Sequence, residues 1–297
     1  MRVFVTGASG WVGSALLPEL ISAGHDVVGL ARSDEGAARV EARGATVLRG
    51  DLTDLDGLAK AAAEADGVVH LAFVHDWSGA VDPGAVDRAA VAAMLEPLEG
   101  SGKPFVGTSG TLGLSHGGAV ALETDVPDPQ IAARRQGAAD VVASAARGIR
   151  ASAVRLAPSV HGENDFGFVP SLIEIARQKG VSGYVGDGAN RWTGVHRLDA
   201  GRLFRLALEQ AEPGTWWHGV ENEGYAFREI AEAIGRGLGV PTAPVEEAQA
   251  AEHFGWMSGF VGMDSPASHA ITTEKLGWEP TQPGLLDDLA AGFYFRR

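Results

Sequence analysis

The chain has 297 residues, a length that fits one large domain or two small ones. Hydrophobic residues make up 45% and charged residues 21%, so a core can form and wholesale disorder is excluded. A formal charge of -14 opposes nucleic acid, and zero cysteines exclude disulfides, thiolate metal sites and cysteine nucleophiles.

The chain shows no targeting or membrane signal. Glycines follow Met1 too soon for the apolar region of a signal peptide, and the sequence has no run of about 18 apolar residues. These features predict a cytoplasmic protein with neither a membrane nor a nucleic-acid partner, and with a small molecule as its substrate.

The first 160 residues alternate short apolar runs with helical patterns. The apolar residues within each run are nearly continuous, as in strands covered on both faces. The predicted strands are Val3–Thr6, Asp26–Leu30, Ala45–Arg49, Gly67–Leu71, Pro104–Thr108 and Ala151–Leu156. The predicted helices begin near Val12 and Thr53 and cover about Gly84–Glu99 and Ile131–Arg147. Such alternation predicts an α/β fold with a doubly wound parallel sheet and right-handed crossovers.

The pattern changes after His161. Helical stretches near Phe168–Lys179, Asp199–Gln210 and Ala226–Gly237 are separated by loops that contain glycine and proline. We therefore predict a first domain over residues 1–160 and a smaller, mostly helical C-terminal lobe over 161–297. Residues 195–220 are expected to pack back onto the first domain.

A glycine-rich segment joins the first predicted strand to the first helix. Gly7 permits a tight turn, Gly10 lets the backbone approach a pyrophosphate, and Gly13 lets the helix lie close to the sheet. The helix N-terminus adds free N–H groups and a partial positive charge. Because a strand precedes the segment and a helix follows, it predicts dinucleotide binding; the alternative is a tight turn without a ligand. The predicted contacts are Gly7, Ser9, Gly10, Trp11, Val12 and Gly13.

The end of the second strand indicates which dinucleotide is bound. An acidic residue there pairs with a free ribose hydroxyl, whereas an arginine accommodates a 2′-phosphate. This chain has Arg32 followed by Ser33, a guanidinium and a hydroxyl suited to a phosphate. We therefore expect NADP(H) rather than NAD(H). The alternative is a solvated Arg32 with Asp34 at the ribose.

Five segments together resemble short-chain dehydrogenase/reductases of the extended, nucleotide-sugar-epimerase-like type. They are Thr6–Gly13, Gly50-Asp51-Leu52, His70-Leu71-Ala72, Arg155–Gly162, and Gly186-Asp187-Gly188 with Val195–Asp199. The resemblance implies a Rossmann-type sheet with a substrate lobe. It also implies cofactor contacts beyond the glycine loop, at Asp51, Leu52, Leu71, Ala72, Phe73, Thr108, Pro158 and Val160.

The family's proton-transfer pair, a tyrosine and a lysine four residues later, is missing from this chain. No tyrosine precedes Tyr184, and alignment on Asp140 places Ala132 and Gln136 at the two positions. The family's strand-five serine corresponds to Gly110. The chain therefore resembles atypical members that lack the tyrosine.

Other side chains must then serve catalysis. Histidines follow the fourth, fifth and sixth strands at His75, His116 and His161, and an ordinary histidine pKa near 6.5 suits a proton donor. The alternative for each is a structural or solvated role. The hydroxyls of Ser109 and Thr111 are suited either to holding a substrate oxygen or to bonding the loop backbone. No metal site is predicted, because no metal-ligand spacing is present.

The sequence thus predicts an NADP(H)-dependent oxidoreductase that reduces a carbonyl or similar polarised double bond of a small, fairly apolar substrate. Aromatic residues of the later lobe are suited to walling an apolar pocket, whereas Arg191 is suited to an anionic group, which leaves a nucleotide sugar open. The alternatives are a non-catalytic NADP(H)-binding redox sensor and a nucleotide-sugar epimerase or dehydratase. The alanine-rich helices near 84–99 and 131–147 resemble those that form a homodimer interface in the family.

Overall fold

The computed structural model describes residues 1–74, 81–115, 117–127 and 136–296. Its strands are β1 (Arg2–Thr6), β2 (Asp26–Ala31), β3 (Thr46–Arg49), β4 (Gly67–His70), β5 (Pro104–Gly110), β6 (Arg150–Leu156), β7 (Ser159–His161), β8 (Ser182–Val185), β9 (Arg191–Trp192), β10 (Gly194–His196), β11 (Thr215–Gly219), β12 (Tyr225–Ala226) and β13 (Thr242–Val245).

The described α-helices are α1 (Gly13–Ser22), α2 (Asp34–Glu41), α3 (Leu55–Glu64), α4 (Pro83–Leu95), α5 (Gln136–Ala143), α6 (Phe168–Lys179), α7 (Arg197–Gln210), α8 (Phe227–Leu238), α9 (Ala250–Phe254), α10 (Ser258–Val261), α11 (Ala270–Leu276) and α12 (Leu285–Ala290). Short 3-10 helices cover Glu96–Leu98, Ser144–Arg147, Glu247–Gln249, Gly255–Met257 and Phe293–Phe295.

Seven strands form the central sheet, in the order β11-β6-β5-β4-β1-β2-β3, and every pair in it is parallel. The predicted α/β fold with a Rossmann-type parallel sheet is confirmed. All six predicted strands are present, each within two residues of its expected ends. The seventh strand, β11, was not predicted as a strand.

The sheet is buried on both faces, which explains its apolar strands. In β1, Val3 and Val5 belong to one hydrophobic cluster and Phe4 to another, because successive side chains point to opposite faces. A third cluster fills the later lobe around Trp192 and Phe227. The cluster around Val3 also contains Trp217, Phe204 and Trp278, so residues far along the chain complete the core of the sheet.

Two helices of the sheet's flanks approach their neighbours closely. A Cβ at Gly201 of α7 would lie 2.9 Å from the backbone of Ala15, so α7 packs directly on α1. Gly137 of α5 lies against the carboxylate of Asp87 in α4, with no room there for a side chain. A homodimer through α4 and the 131–147 region stays a prediction. None of the helices in the described ranges is long and apolar enough to cross a membrane.

Candidate functional site

The glycine segment forms a tight turn between β1 and α1, as the sequence predicted. Gly7 has φ +66°, and a Cβ on it would lie 2.7 Å from the amide nitrogen of Ala72. A Cβ at Gly13 would collide with the loop itself, 2.7 Å from the carbonyl oxygen of Ala8. The turn therefore requires glycine at both positions. The amides around Gly10 lie at the N-terminus of α1, where a helix favours an anion.

This loop lies at the point where the strand order reverses. β1 pairs with β2 on one side and β4 on the other, and ligands of open α/β sheets bind beyond the carboxyl ends of such strands. The amide of Ala72 donates to the Thr6 hydroxyl at 3.2 Å, which joins the segment after β4 to the loop. The predicted contacts Leu71 and Ala72 are half-buried there, and Phe73 is exposed.

A chain of buried hydrogen bonds connects the carboxyl ends of the strands beside the glycine loop. The ring of His70 lies 2.7 Å from the Thr6 hydroxyl through Nδ1 and 3.1 Å from the Asp87 carboxylate through Nε2. The hydroxyl of Thr108, a predicted contact, donates to the His70 carbonyl oxygen at 2.7 Å. The chain fixes the ends of β1, β4 and β5 relative to one another. Sequence analysis noted His70 only as part of a motif.

Polar groups converge at the carboxyl end of β2. Ser33 caps α2 by accepting from the Gly36 amide at 3.1 Å. A Cβ on Gly36 would lie 3.2 Å from the Ser9 hydroxyl and 3.3 Å from the Ser33 hydroxyl, so both hydroxyls lie at this helix end. Arg32 is exposed, and its guanidinium has no hydrogen bond to any residue that the structure describes. The N-terminus of α2 therefore lies beside two hydroxyls, and Arg32 directly precedes its cap residue, Ser33.

Asp34, the alternative ribose contact, is engaged by a second arginine. Arg49 donates to the Asp34 carboxylate at 2.9 Å and to the Ser33 carbonyl oxygen at 2.6 Å. Arg49 was not among the site residues predicted from the sequence. It is the last residue of β3, and it lies beside the carboxyl end of β2 because the two strands pair in the folded sheet.

The predicted adenine contacts begin at Asp51. Its Oδ1 accepts from both the hydroxyl and the amide of Thr53, at 2.6 and 2.7 Å. Those hydrogen bonds, with a smaller contribution from the charge of Arg32, lower the pKa of Asp51. Leu52 is buried against the core. The expectation that Thr53 opens the next helix is wrong, because Asp54 caps α3 by accepting from the Gly57 amide.

Trp11 connects the glycine loop to the later part of the chain. Its indole N–H donates to the carbonyl oxygen of Val160 at 2.8 Å, and its ring meets Phe166 edge-on at 5.7 Å. The Arg197 guanidinium lies 4.6 Å from the same ring. The predicted contacts Pro158 and Val160 thus stand beside the loop, both half-buried. Sequence analysis did not single out Arg197.

The two hydroxyl candidates after β5 differ in environment. Thr111 is fully buried, and its hydroxyl lies 3.4 Å from the Leu156 carbonyl oxygen and 3.5 Å from the Thr193 hydroxyl. This geometry matches the alternative role of bonding the backbone. Ser109, near the end of β5, is partly exposed and pairs with β6 through its backbone, and its hydroxyl has no hydrogen bond within the described parts of the chain.

His161 is enclosed by carboxylates. Its Nδ1 lies 2.7 Å from Asp288 and its Nε2 2.8 Å from Glu221, and its side chain is fully buried. Burial opposes the charged form, but the hydrogen bonds to Asp288 and Glu221 outweigh it and raise the pKa of His161 to about 9. Both ring nitrogens are occupied, so this arrangement favours a structural role over proton donation.

The other histidine candidates, His75 and His116, lie outside the described residues, as does Ala132. Gln136, the remaining position of the family's pair, donates to Asp140 at 2.8 Å within α5. No group of three or more metal-ligating side chains occurs within the described ranges.

Arg191 is held by a carboxylate. Asp264 accepts from its guanidinium at 3.1 and 3.2 Å and from its backbone amide at 2.6 Å. Next to it, Trp192 is buried, with its ring 5.6 Å from Phe168. Phe168 also lies within 5.8 Å of the rings of Trp256 and Phe260. The aromatic group around Phe168 therefore lies next to Arg191, whose positive charge is balanced by the carboxylate of Asp264.

The glycine turn between β1 and α1 and the reversal of strand order beside it are those of a dinucleotide-binding α/β protein. Residues 3–217 match the NAD dependent epimerase/dehydratase family, and the chain belongs to that family. The predicted resemblance is thereby confirmed.

The chain is similar to several known proteins along most of its length, and its fold is similar to that of solved structures. Uncharacterized protein YLL056C of Saccharomyces cerevisiae is 49% identical, covering 99% of this chain and 99% of its own length. The 2-alkyl-3-oxoalkanoate reductase of Stenotrophomonas maltophilia is 29% identical over 81% of this chain and 77% of its own. The crystal structure of DesIV, the dTDP-glucose 4,6-dehydratase of Streptomyces venezuelae with NAD bound, superposes with a TM-score of 0.79 at 21% identity, covering 100% and 97% of the two chains.

Proposed function

We propose that this chain is an NADP(H)-dependent oxidoreductase that reduces a carbonyl, or a similar polarised double bond, of a small and fairly apolar substrate. The observation that carries the proposal is the end of β2. There the exposed Arg32 directly precedes Ser33, whose hydroxyl lies with that of Ser9 at the N-terminus of α2. These groups suit a 2′-phosphate, whereas Asp34 is engaged by Arg49.

The chain offers a site for each part of such a cofactor. The amides between Gly7 and Gly13 would hold the diphosphate, Asp51 and Leu52 the adenine, and the segments after β4, β5 and β6 the nicotinamide half. When bound, the nicotinamide supplies the hydride. This chain's residues then have to hold the substrate oxygen and deliver a proton.

The reductase relative supports reduction of a carbonyl group, and the aromatic group around Phe168 supports an uncharged, fairly apolar substrate. A redox sensor and a nucleotide-sugar epimerase or dehydratase are the competing functions. A sensor would bind NADPH without turning over any carbonyl compound, and an epimerase would retain its dinucleotide through purification.

The cofactor proposal is tested by titrating the protein with NADPH and NADH and following tryptophan fluorescence. We expect tighter binding of NADPH. Arg32→Gln removes a charged hydrogen-bond donor contributing about 1.5–3 kcal/mol, so NADPH affinity should fall roughly 10- to 100-fold while NADH affinity stays constant. NADPH oxidation is then assayed against a panel of uncharged ketones and enones.

Arg39→Gln is the matched control, because it removes one guanidinium that is bonded to Glu35 elsewhere on α2. It should leave both affinities unchanged. Tighter binding of NADH by the unmodified protein, or an equal effect of the two substitutions, would refute the role of Arg32.

For the chemistry we infer that His75 delivers the proton and that Ser109 holds the substrate oxygen. Among the hydroxyl candidates, only Ser109 combines partial exposure with a hydroxyl that no described residue binds. His75→Ala and Ser109→Ala should each lower kcat, by about 100-fold or more for the proton donor, with NADPH affinity retained. His25, bonded to Glu209 at the opposite edge of the sheet, provides the control His25→Ala. Unchanged turnover in His75→Ala would remove it as the donor.

A further inference from the structure

We propose that Asp264 determines the substrate class of this site by neutralising Arg191, so that substrates carrying a diphosphate are excluded. The inference rests on the proposed function in that it takes the substrate to be uncharged. It adds the residue that would discriminate against substrates carrying a diphosphate. It assigns a specificity role to a carboxylate that the sequence did not single out.

Asp264 and a backbone carbonyl together occupy three of the five N–H donors of the Arg191 guanidinium. Asp264 Oδ1 accepts from the backbone amide of Arg191 at 2.6 Å and from Nε at 3.2 Å, and Oδ2 accepts from Nη2 at 3.1 Å. Nη2 also donates to the carbonyl oxygen of Gly118 at 2.6 Å. The guanidinium therefore faces a carboxylate and a carbonyl where an anionic ligand would otherwise bind it in a bidentate manner.

The position of the pair relates it to the substrate side of the molecule. Gly118 belongs to the segment that follows β5, whose end lies at the carboxyl edge of the sheet. Arg191 begins β9 and directly precedes Trp192 of the aromatic group. The guanidinium thus joins the sheet edge to the aromatic lobe. The side chains of Arg191 and Asp264 are 31% and 30% exposed, so a dissolved ligand can reach them.

Discrimination between substrates is a difference of binding free energies, and a misplaced charge lowers the affinity for the wrong ligand. A diphosphate approaching Arg191 would meet the Asp264 carboxylate, a like charge, and would have to displace it from the guanidinium. An uncharged carbonyl compound meets no such opposition and gains contact with Phe168 and its aromatic neighbours. The pair therefore disfavours the nucleotide-sugar alternative by electrostatics.

Asp264→Asn tests this with little change in shape. The asparagine oxygen can still accept from the Arg191 backbone amide, whereas its NH₂ group cannot accept from Nη2. Each protein is titrated calorimetrically with UDP in the presence of saturating NADP⁺. We expect at least tenfold tighter UDP binding by the variant, weakening as salt is added. The double variant Asp264→Asn with Arg191→Gln should lose that gain.

Glu252→Gln is the control for net charge, because it removes one carboxylate from an exposed position of α9 in the same lobe. It should leave UDP binding at the level of the unmodified protein. Equal UDP affinity in Asp264→Asn and the unmodified protein, or a gain that survives Arg191→Gln, would overturn the proposal.

A third result, measured on the unmodified protein alone, would also overturn the proposal. It is binding of UDP by the NADP⁺-loaded protein with a Kd below about 0.1 mM, which corresponds to a binding free energy of more than about 5 kcal/mol. This measurement holds even if Asp264→Asn fails to fold. The readout needs no turnover. Failure of the proposed function would appear separately, in the NADPH titration and the carbonyl assay.

Discussion

His161 lies between two carboxylates, and this placement determines what its imidazole can do. Glu221 and Asp288 occupy both ring nitrogens, and a full positive charge at neutral pH follows from a pKa of about 9. The ring thereby ties β7 to α12 and to the segment after β11. His161 was one of three candidate proton donors in the sequence, and its contacts favour the alternative, a structural cation.

The raised pKa makes part of the folding stability depend on pH. His161 binds its proton more tightly in the folded state, so its contribution is complete below pH 6.5 and is lost as pH rises through about 9. The shift from 6.5 to about 9 corresponds to roughly 3 kcal/mol. We expect the difference in unfolding free energy between the unmodified protein and His161→Gln to shrink over that window, as measured by urea denaturation from pH 6 to 9.5.

His253 supplies a control with the opposite sign. Burial lowers the pKa of His253, so its contribution is present above pH 6.5 and is lost as pH falls. The difference in unfolding free energy between His253→Gln and the unmodified protein should therefore shrink only below pH 6.5. A constant difference for His161→Gln from pH 6 to 9.5 would contradict the charged, doubly bonded imidazole.

At the scale of elements, the hydrophobic pattern predicted six strands of the central sheet and missed α2 and β11, for different reasons. In α2 only Gly36 and Val40 are buried, so the helix has too few apolar positions to show a helical period. β11 contains two tryptophans and a histidine in a segment expected only to pack on the first domain. Its pairing with β6 depends on residues some sixty positions away in the chain.

The candidate site divides in the same way. The glycine turn was predictable because local geometry requires glycine between β1 and α1. The cofactor roles of Arg32 and Ser33 at the end of β2 stay predictions. The bonds of Arg49 to Asp34 and of Arg191 to Asp264 were not predictable, since each joins residues distant in the chain. No spacing rule identifies such partners before the strands have assembled. The motifs therefore predict the glycine turn and its place in the sheet but not these two ion pairs.

Over the whole molecule, Asp199 connects the two ends of the chain. Its buried carboxylate accepts from the amides of Thr281 and Gln282 at 3.0 and 2.9 Å and from Arg202 at 3.1 Å. Sequence analysis identified Asp199 within a family motif. Its position in the first turn of α7 fits a cap, but His196 caps that helix instead. Asp199 holds the C-terminal segment against a helix that packs on α1, the helix following the glycine turn.

Asp199→Ala should therefore destabilise the whole fold and not the C-terminal segment alone. Removing the carboxylate leaves the amides of Thr281 and Gln282 and the Thr281 hydroxyl without their acceptor, a loss of about 3–5 kcal/mol, whereas Asp199→Asn retains one oxygen and should lose about 1–3 kcal/mol. Asp26→Asn, at an exposed carboxylate, should change stability by less than about 0.5 kcal/mol.

Urea unfolding of these variants is followed by both circular dichroism and tryptophan fluorescence. Because Trp217 and Trp278 share a cluster with Val3, the two signals should shift together to lower urea. A fluorescence transition that shifts while the circular dichroism transition stays in place would show that the C-terminal segment unfolds independently of the sheet.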